Sequence, residues 1–116
     1  MSVPENPLRI RVLLARDMPF GPGKADLLEA IRETGSIAAA GRRLGMSYQR
    51  AWDLASAMNT HFREPVLAPA KGGARGGGSA LTAFGEEVLA AYREIEARAA
   101  EACADRLDWF RRNLAP

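Results

Sequence analysis

The sequence predicts a mainly α-helical fold with a small β-sheet, and three observations lead to this prediction. Apolar residues recur at three- and four-residue steps along much of the chain, which is typical of amphipathic helices. A short alternating segment near the start and a glycine-rich hairpin further on indicate a limited amount of β-structure. With 116 residues, 47% of them apolar, the chain is long enough for one compact domain with a core.

The segment from residue 36 to residue 62 is predicted to form two helices joined by a tight turn at Gly45. Ser36 and Ser47 are suitable N-caps, because a serine hydroxyl accepts a hydrogen bond from a free backbone N–H. Gly45 suits the left-handed residue that ends a helix. Apolar residues at helical spacing predict one buried face on the second helix: Ala51, Leu54, Ala55, Met58 and Phe62. This is the layout of a helix-turn-helix, whose second helix enters the DNA major groove.

The flanking segments complete the prediction of a winged helix-turn-helix. Alternating apolar residues predict a strand over residues 8–14, and a helix is predicted over residues 24–33. After the second helix of the pair, Pro65 precedes a short strand at residues 66–68, and residues 80–81 are the return strand. The tip between them is rich in glycine and carries Lys71 and Arg75, so we predict a wing that contacts DNA phosphates. The alternative is a loop with two incidental charges.

A long helix begins after Thr82 and keeps one apolar side for about five turns. It is longer than a small domain needs, and large apolar residues follow it, so we predict a dimerisation arm. The alternative is that this segment folds back on its own domain. The residues predicted to form the dimer contact are Val88, Tyr92, Ile95, Ala99, Trp109 and Phe110. The predicted organisation is a flexible N-terminus (1–7), a DNA-binding domain (8–82) and a dimerisation arm (83–116).

Charge and composition narrow the function classes. The net charge is only +2, but between residues 36 and 81 basic residues outnumber acidic ones by six to two, which suits a phosphate backbone as partner. There is no long apolar run or signal peptide, and the single Cys103 suits a reducing compartment, so we expect a cytoplasmic protein. His61 has no partner at ligand spacing and no catalytic grouping is present. We therefore expect neither an enzyme nor a metal site or cofactor.

The run from Met46 to Asn59, MSYQRAWDLASAMN, resembles the recognition helix of the ModE-type molybdate-responsive transcription regulators. The glycine-rich hairpin closing on ALTAFG is similar to theirs, and GSIAAAGRRLGMS also resembles the LysR-type pattern. The resemblance implies a prokaryotic homodimer that binds double-stranded DNA. Full-length family members add a molybdate-binding domain, for which this chain has no room, so molybdate binding is not expected on this chain.

The candidate DNA contacts lie on the second helix, at the first cap and in the wing. They are Ser36, Ser47, Tyr48, Gln49, Arg50, Trp52, Lys71 and Arg75. Arg50 suits a bidentate contact to guanine and Gln49 one to adenine, but either also suits a phosphate. The predicted function is a sequence-specific transcription regulator reading a near-palindromic operator. The alternative is a protein-interaction module that works with a separate effector-binding chain.

Overall fold

The structure, a computed structural model, describes residues 6–70 and 78–116. Over these two ranges the chain forms five helices and four short strands. The helices are α1 (Pro22–Thr34), α2 (Ile37–Arg43), α3 (Tyr48–His61), α4 (Ala83–Ala102) and α5 (Ala104–Arg112). The strands are β1 (Val12–Leu13), β2 (Pro19–Phe20), β3 (Leu67–Ala70) and β4 (Gly78–Leu81).

The helix caps lie where the sequence predicts them. The Ser36 hydroxyl accepts a hydrogen bond from the Ala39 N–H at 2.9 Å, and the Ser47 hydroxyl accepts one from the Arg50 N–H at 3.1 Å. Gly45, with φ of 70°, provides the turn between α2 and α3. Gly41 lets the two helices approach closely, since a Cβ there would lie 3.1 Å from the Ala51 Cβ.

The predicted fold class requires correction. The described residues form two separate two-stranded antiparallel sheets, β1–β2 and β3–β4, beside the five helices. The predicted strand over residues 8–14 is reduced to β1, because only Val12 and Leu13 find partners, in Phe20 and Pro19. The predicted long helix divides at Cys103 into α4 and α5. A winged helix-turn-helix with one long dimerisation helix is therefore not the fold class that these findings support.

The core lies between α1, α3, the first half of α4 and the start of β3. Its largest fully buried side chains are Leu27, Leu28, Ile31, Met58 and Val66. An aromatic group closes one side, with ring centroids 5.3 Å apart for Phe20–Tyr92 and 5.8 Å for Phe62–Phe84. Because Leu89 and Tyr92 of α4 belong to this core, its packing crosses the predicted domain boundary at residues 82 and 83.

An ion-pair network joins α1 to α4. The Arg93 guanidinium lies 3.0 Å from a carboxylate oxygen of Asp26, 3.5 Å from Glu29 and 3.0 Å from Glu96. Glu96 is buried. Burial of a carboxylate is tolerated here because Arg93 pairs with it. The network holds α4 against α1 through Arg93, the residue that follows Tyr92.

Beyond Glu96 the chain leaves the core. No residue from 97 to 116 is buried, and the molecule measures 53 Å along its longest axis. None of the helices in the described part of the chain is long and apolar enough to cross a membrane. The predicted flexible N-terminus, residues 1–7, falls mostly outside the described residues.

Candidate nucleic-acid interface

The outer face of α3 is the best candidate for contact with a nucleic acid. Its inner face buries Ala51, Ala55 and Met58 in the core. The opposite face leaves the Tyr48 side chain 58% exposed and Trp52 47% exposed. Gln49 and Arg50 are exposed between them. The helix is therefore anchored along its back and offers an aromatic and polar surface at its N-terminal end.

A groove runs beside this face and brings together residues from three elements. A pocket of about 290 Å³ is lined by Ser36, Tyr48, Trp52 and Ser79, with smaller residues between them. A second pocket, of about 220 Å³, continues it past Trp52 towards Asn59 and Pro69. The structure thus places three predicted contact residues, Ser36, Tyr48 and Trp52, around one groove. Sequence reasoning did not identify the β4 wall, Gly78 and Ser79.

Backbone bonds and one side chain fix the position of that wall. The Ser79 N–H donates to the Gly35 carbonyl oxygen at 2.9 Å. A Cβ on Gly78 would lie 3.0 Å from the same oxygen, so a larger residue would crowd this approach. The Asn59 side-chain oxygen accepts bonds from the Val66 and Leu67 N–H groups at 2.8 and 3.0 Å. These contacts join the β3–β4 hairpin to α3 and to the end of α1.

The charges around this face are mostly unpaired cations. Among the described residues, no carboxylate oxygen lies within 4 Å of the Arg50 or Arg42 guanidinium, while Arg43 pairs with Glu33 at 2.6 Å. Asp53 is the acidic residue of α3, and it accepts a hydrogen bond from Gln49 at 2.8 Å. The predicted wing residues Lys71 and Arg75 lie outside the described residues.

Two further cations lie near Arg50. Arg11, Lys24 and Arg50 line the same pocket beside the start of α1. Burial, and then the charge of Arg11, lower the pKa of Lys24 below its ordinary value. The Lys24 ammonium group donates to the Pro19 carbonyl oxygen at 2.6 Å. Three cations drawn from separate segments, Arg50 of α3 among them, therefore line one pocket, and an anionic partner would reduce their mutual repulsion.

The predicted dimer residues differ in exposure and fall into three groups. Ile95, Trp109 and Phe110 are exposed, at 43%, 47% and 63%. Val88 and Ala99 are half-buried. Tyr92 requires a correction: it is buried in its own chain and its hydroxyl donates to the Ile10 carbonyl oxygen at 2.5 Å. Tyr92 therefore belongs to the core and not to a free surface.

Two apolar surfaces on this chain have no cover among the described residues. One is a cleft of about 140 Å³ lined by apolar side chains, among them Val12, Leu14, Phe62 and Ile95. The other is α5, which buries no residue and carries Trp109 and Phe110 in edge-to-face contact at 5.2 Å. Leu13 and Leu14 beside the cleft are also exposed. Exposed apolar surface of this extent is typical of an interaction site.

Comparison with known proteins relates most of the chain to one molybdenum-linked group. It is 49% identical over 82 residues to the molybdenum-pterin-binding protein MopB of Rhodobacter capsulatus, covering 71% of this chain and 30% of MopB. It is 42% identical over 92 residues to the molybdenum transport protein ModE of Azotobacter vinelandii, covering 76% and 34%. It is 32% identical over 87 residues to the DNA-binding transcriptional dual regulator ModE of Escherichia coli K12, covering 72% and 33%. No protein-family profile matches the sequence.

These relatives correct the resemblance inferred from the sequence. That resemblance assigned the chain to the N-terminal winged helix-turn-helix domain of the ModE-type regulators, with a LysR-like pattern and without the molybdate-binding domain. The assignment was wrong as stated, because MopB is named for molybdenum-pterin binding and matches at 49% identity. The LysR-like pattern has no support from these relatives.

The expectation that this chain does not bind molybdate is contradicted as well, because the proteins that match most of the chain include ones named for molybdenum-pterin binding and molybdenum transport. It relied on where the chain ends, but the chain spans only about a third of the length of these relatives. Because the chain matches only part of each relative, the position of its last residue gives no reason to exclude a ligand. The chain is a relative of a molybdenum-linked group of proteins that includes transcriptional regulators.

Proposed function

We propose that this protein binds double-stranded DNA as a homodimer and regulates transcription. The observation that supports the proposal most strongly is α3 itself, since an α-helix fits the major groove and this one exposes Tyr48, Gln49 and Arg50 at its free end. The guanidinium of Arg50, which pairs with no carboxylate in residues 6–70 and 78–116, supplies a donor group suited to guanine or to phosphate.

The groove beside Trp52 suits the sugar–phosphate backbone. Hydroxyl groups commonly hold phosphates, and an indole N–H is a hydrogen-bond donor. The groove offers Ser79 on one side and Trp52 on the other. A strand of DNA lying there would place the β3–β4 hairpin over the adjacent backbone. The cations Arg11, Lys24 and Arg50 extend this attraction on the other side of α3.

A second copy of the chain is the proposed occupant of both apolar surfaces. A nine-residue helix such as α5 is marginal in water without packing, so its Trp109 and Phe110 require a partner. The cleft beside Ile95 lies on the same chain and is equally uncovered. In a two-fold dimer each copy supplies both surfaces, so one symmetric contact covers all four. The two α3 helices would then meet half-sites about 34 Å apart.

The proposed function also implies a class of ligand and a cellular location. The names of the relatives make molybdate, or another molybdenum compound, the first effector to test. The proposed activity is binding and not catalysis, so the proposal describes a regulator and not an enzyme. Binding to chromosomal DNA in a prokaryote would place the protein in the cytoplasm.

Replacing Arg50 with alanine tests the proposed contact. We expect the free energy of binding to the preferred duplex to weaken by about 1–3 kcal/mol, because the variant loses a guanidinium contact at the centre of the interface. The measurement is a fluorescence-anisotropy titration of a labelled duplex at fixed salt. Arg98→Ala is the matched control: it removes the same charge from α4, where Arg98 pairs with Glu94 at 2.8 Å. Equal affinity of both variants would refute the role of Arg50.

A further inference from the structure

Two polar side chains on the outer face of α3 are joined to each other. The Gln49 side-chain nitrogen, Nε2, donates a hydrogen bond to the Asp53 Oδ1 at 2.8 Å. The residues are four positions apart, so they lie one above the other on the same face of the helix. Both are exposed, on the side opposite Ala51 and Ala55.

The chemistry of this bond fixes the orientation of the glutamine amide. A carboxylate offers acceptors only, so the amide must turn its nitrogen, and not its oxygen, towards Asp53. One N–H of Gln49 is used in the bond. The second N–H and the amide oxygen, Oε1, make no hydrogen bond to any other described residue, so they form a neighbouring donor and acceptor.

That free pair is complementary to one base. In the major groove adenine presents an acceptor, N7, beside a donor, N6. Guanine presents two acceptors at the same edge, so the Gln49 oxygen would face O6 without a hydrogen atom between them. An amide that is free to rotate would present its oxygen and its nitrogen to the base in either order. It would also lose conformational entropy on binding.

We propose that Asp53 is a positioning residue, which holds Gln49 ready to read adenine and so contributes to base selectivity without contacting the base. This inference rests on the proposed binding of DNA by α3. Asp53 also has an unfavourable electrostatic effect on DNA binding, because its carboxylate lies on the face that approaches phosphates and repels them. Asp53 therefore lowers affinity for every sequence while it raises selectivity at one base pair.

Asp53 is expected to lower affinity for all duplexes and to raise selectivity at one base pair, and these opposite effects can be measured separately. The full chain and its Gln49→Ala, Asp53→Ala, Asp53→Asn and doubly substituted Gln49→Ala/Asp53→Ala variants are titrated with the preferred duplex and with each single base-pair change. Gln49→Ala is expected to lower the preference for adenine at one position by about fivefold or more. Asp53→Ala should lower the preference at that same position by about threefold or more, with equal or higher affinity for unrelated duplexes.

The remaining variants separate positioning from a merely structural role. In the double variant the loss should equal that of Gln49→Ala alone, because Asp53 acts only through Gln49. Asp53→Asn keeps an acceptor oxygen and removes the charge, so it should retain part of the adenine preference while binding all duplexes more tightly. All variants should unfold at the temperature of the unsubstituted protein.

The outcomes distinguish the inference from the function on which it rests. If the unsubstituted protein prefers no sequence, the proposed function fails and the inference with it. If the protein is selective but Asp53→Ala keeps the whole adenine preference, or if the losses of the two single variants add, the positioning role of Asp53 is overturned while DNA binding stands.

Discussion

The Trp109→Ser/Phe110→Ser variant is expected to be a monomer that binds a full operator at least about 100-fold more weakly than the unsubstituted protein. Trp109 and Phe110 are the aromatic side chains of α5, and both are exposed among the described residues of their own chain. Without them a second copy loses its main apolar contact. A monomer engages one half-site only, so the gain in affinity from linking two half-sites disappears.

Analytical ultracentrifugation gives the mass, and a titration with full-operator and half-site duplexes gives the affinities. Affinity for the half-site should be similar in the variant and in the unsubstituted protein, since α3 is unchanged. Arg112→Ser is the matched control: it changes an exposed residue of the same helix without removing apolar surface, and it should stay dimeric. A variant that stays dimeric, or an unsubstituted protein that is monomeric, would contradict the proposed contact.

Gly85→Ala is expected to destabilise the folded protein by about 3 kcal/mol or more. Gly85 lies in the first turn of α4, where a Cβ would fall 2.1 Å from the Val66 carbonyl oxygen and 3.0 Å from its carbonyl carbon. These are backbone atoms of a fully buried residue, so no side chain can move aside. The same oxygen accepts the Thr82 N–H at 3.0 Å, so a shift would also disturb the cap of α4.

Gly23→Ala is the control for this prediction, because it makes the same change in the first turn of α1. A Cβ at Gly23 meets nothing within 4 Å. Alanine restricts the unfolded chain and favours the helix, so this variant should be more stable by about 0.5–1 kcal/mol. Both free energies of unfolding are measured by urea titration followed by circular dichroism. Equal stability of the two variants would mean that α4 does not approach Val66 as closely as described.

The elements that sequence reasoning located well are those decided by local interactions. Ser36, Ser47 and Thr82 cap helices through bonds to residues three positions on, so each cap is visible in a short window of sequence. Gly35 and Gly45 end helices by adopting positive φ, which is again a property of the residue itself. The buried faces of α1 and α3 follow from helical periodicity for the same reason.

The features that sequence reasoning missed depend on distant partners. Residues 8–11 alternate like a strand but find no partner in the described part of the chain, so β1 holds only two residues. Glu96 is buried beside Arg93, which also pairs with Asp26 of α1. The contact with α1 cannot be predicted from residues 93–96 alone, and so neither can the burial of Glu96. Periodicity placed Tyr92 on an apolar face but could not tell whether its own chain or a second copy covers that face.

Only part of the candidate site could be predicted from the sequence, because some of its residues are placed there by distant contacts. Tyr48, Gln49 and Arg50 follow a cap, so their exposure was predictable from the helix alone. Ser79 enters the site only through the backbone contact between β4 and Gly35. The bond between Gln49 and Asp53 has helical spacing and was therefore visible in the sequence, yet it acquires meaning only once both residues are known to be exposed.

Selection of the full chain against a pool of random duplex DNA is the most direct test of whether the outer face of α3 binds DNA in a sequence-specific way. We expect enrichment of a near-palindromic motif whose half-site centres lie about 10 base pairs apart, with information lost at one base pair per half-site when Arg50→Ala is used instead. A pool that stays random, or a motif that is identical with Arg50→Ala, would contradict the proposed role of α3.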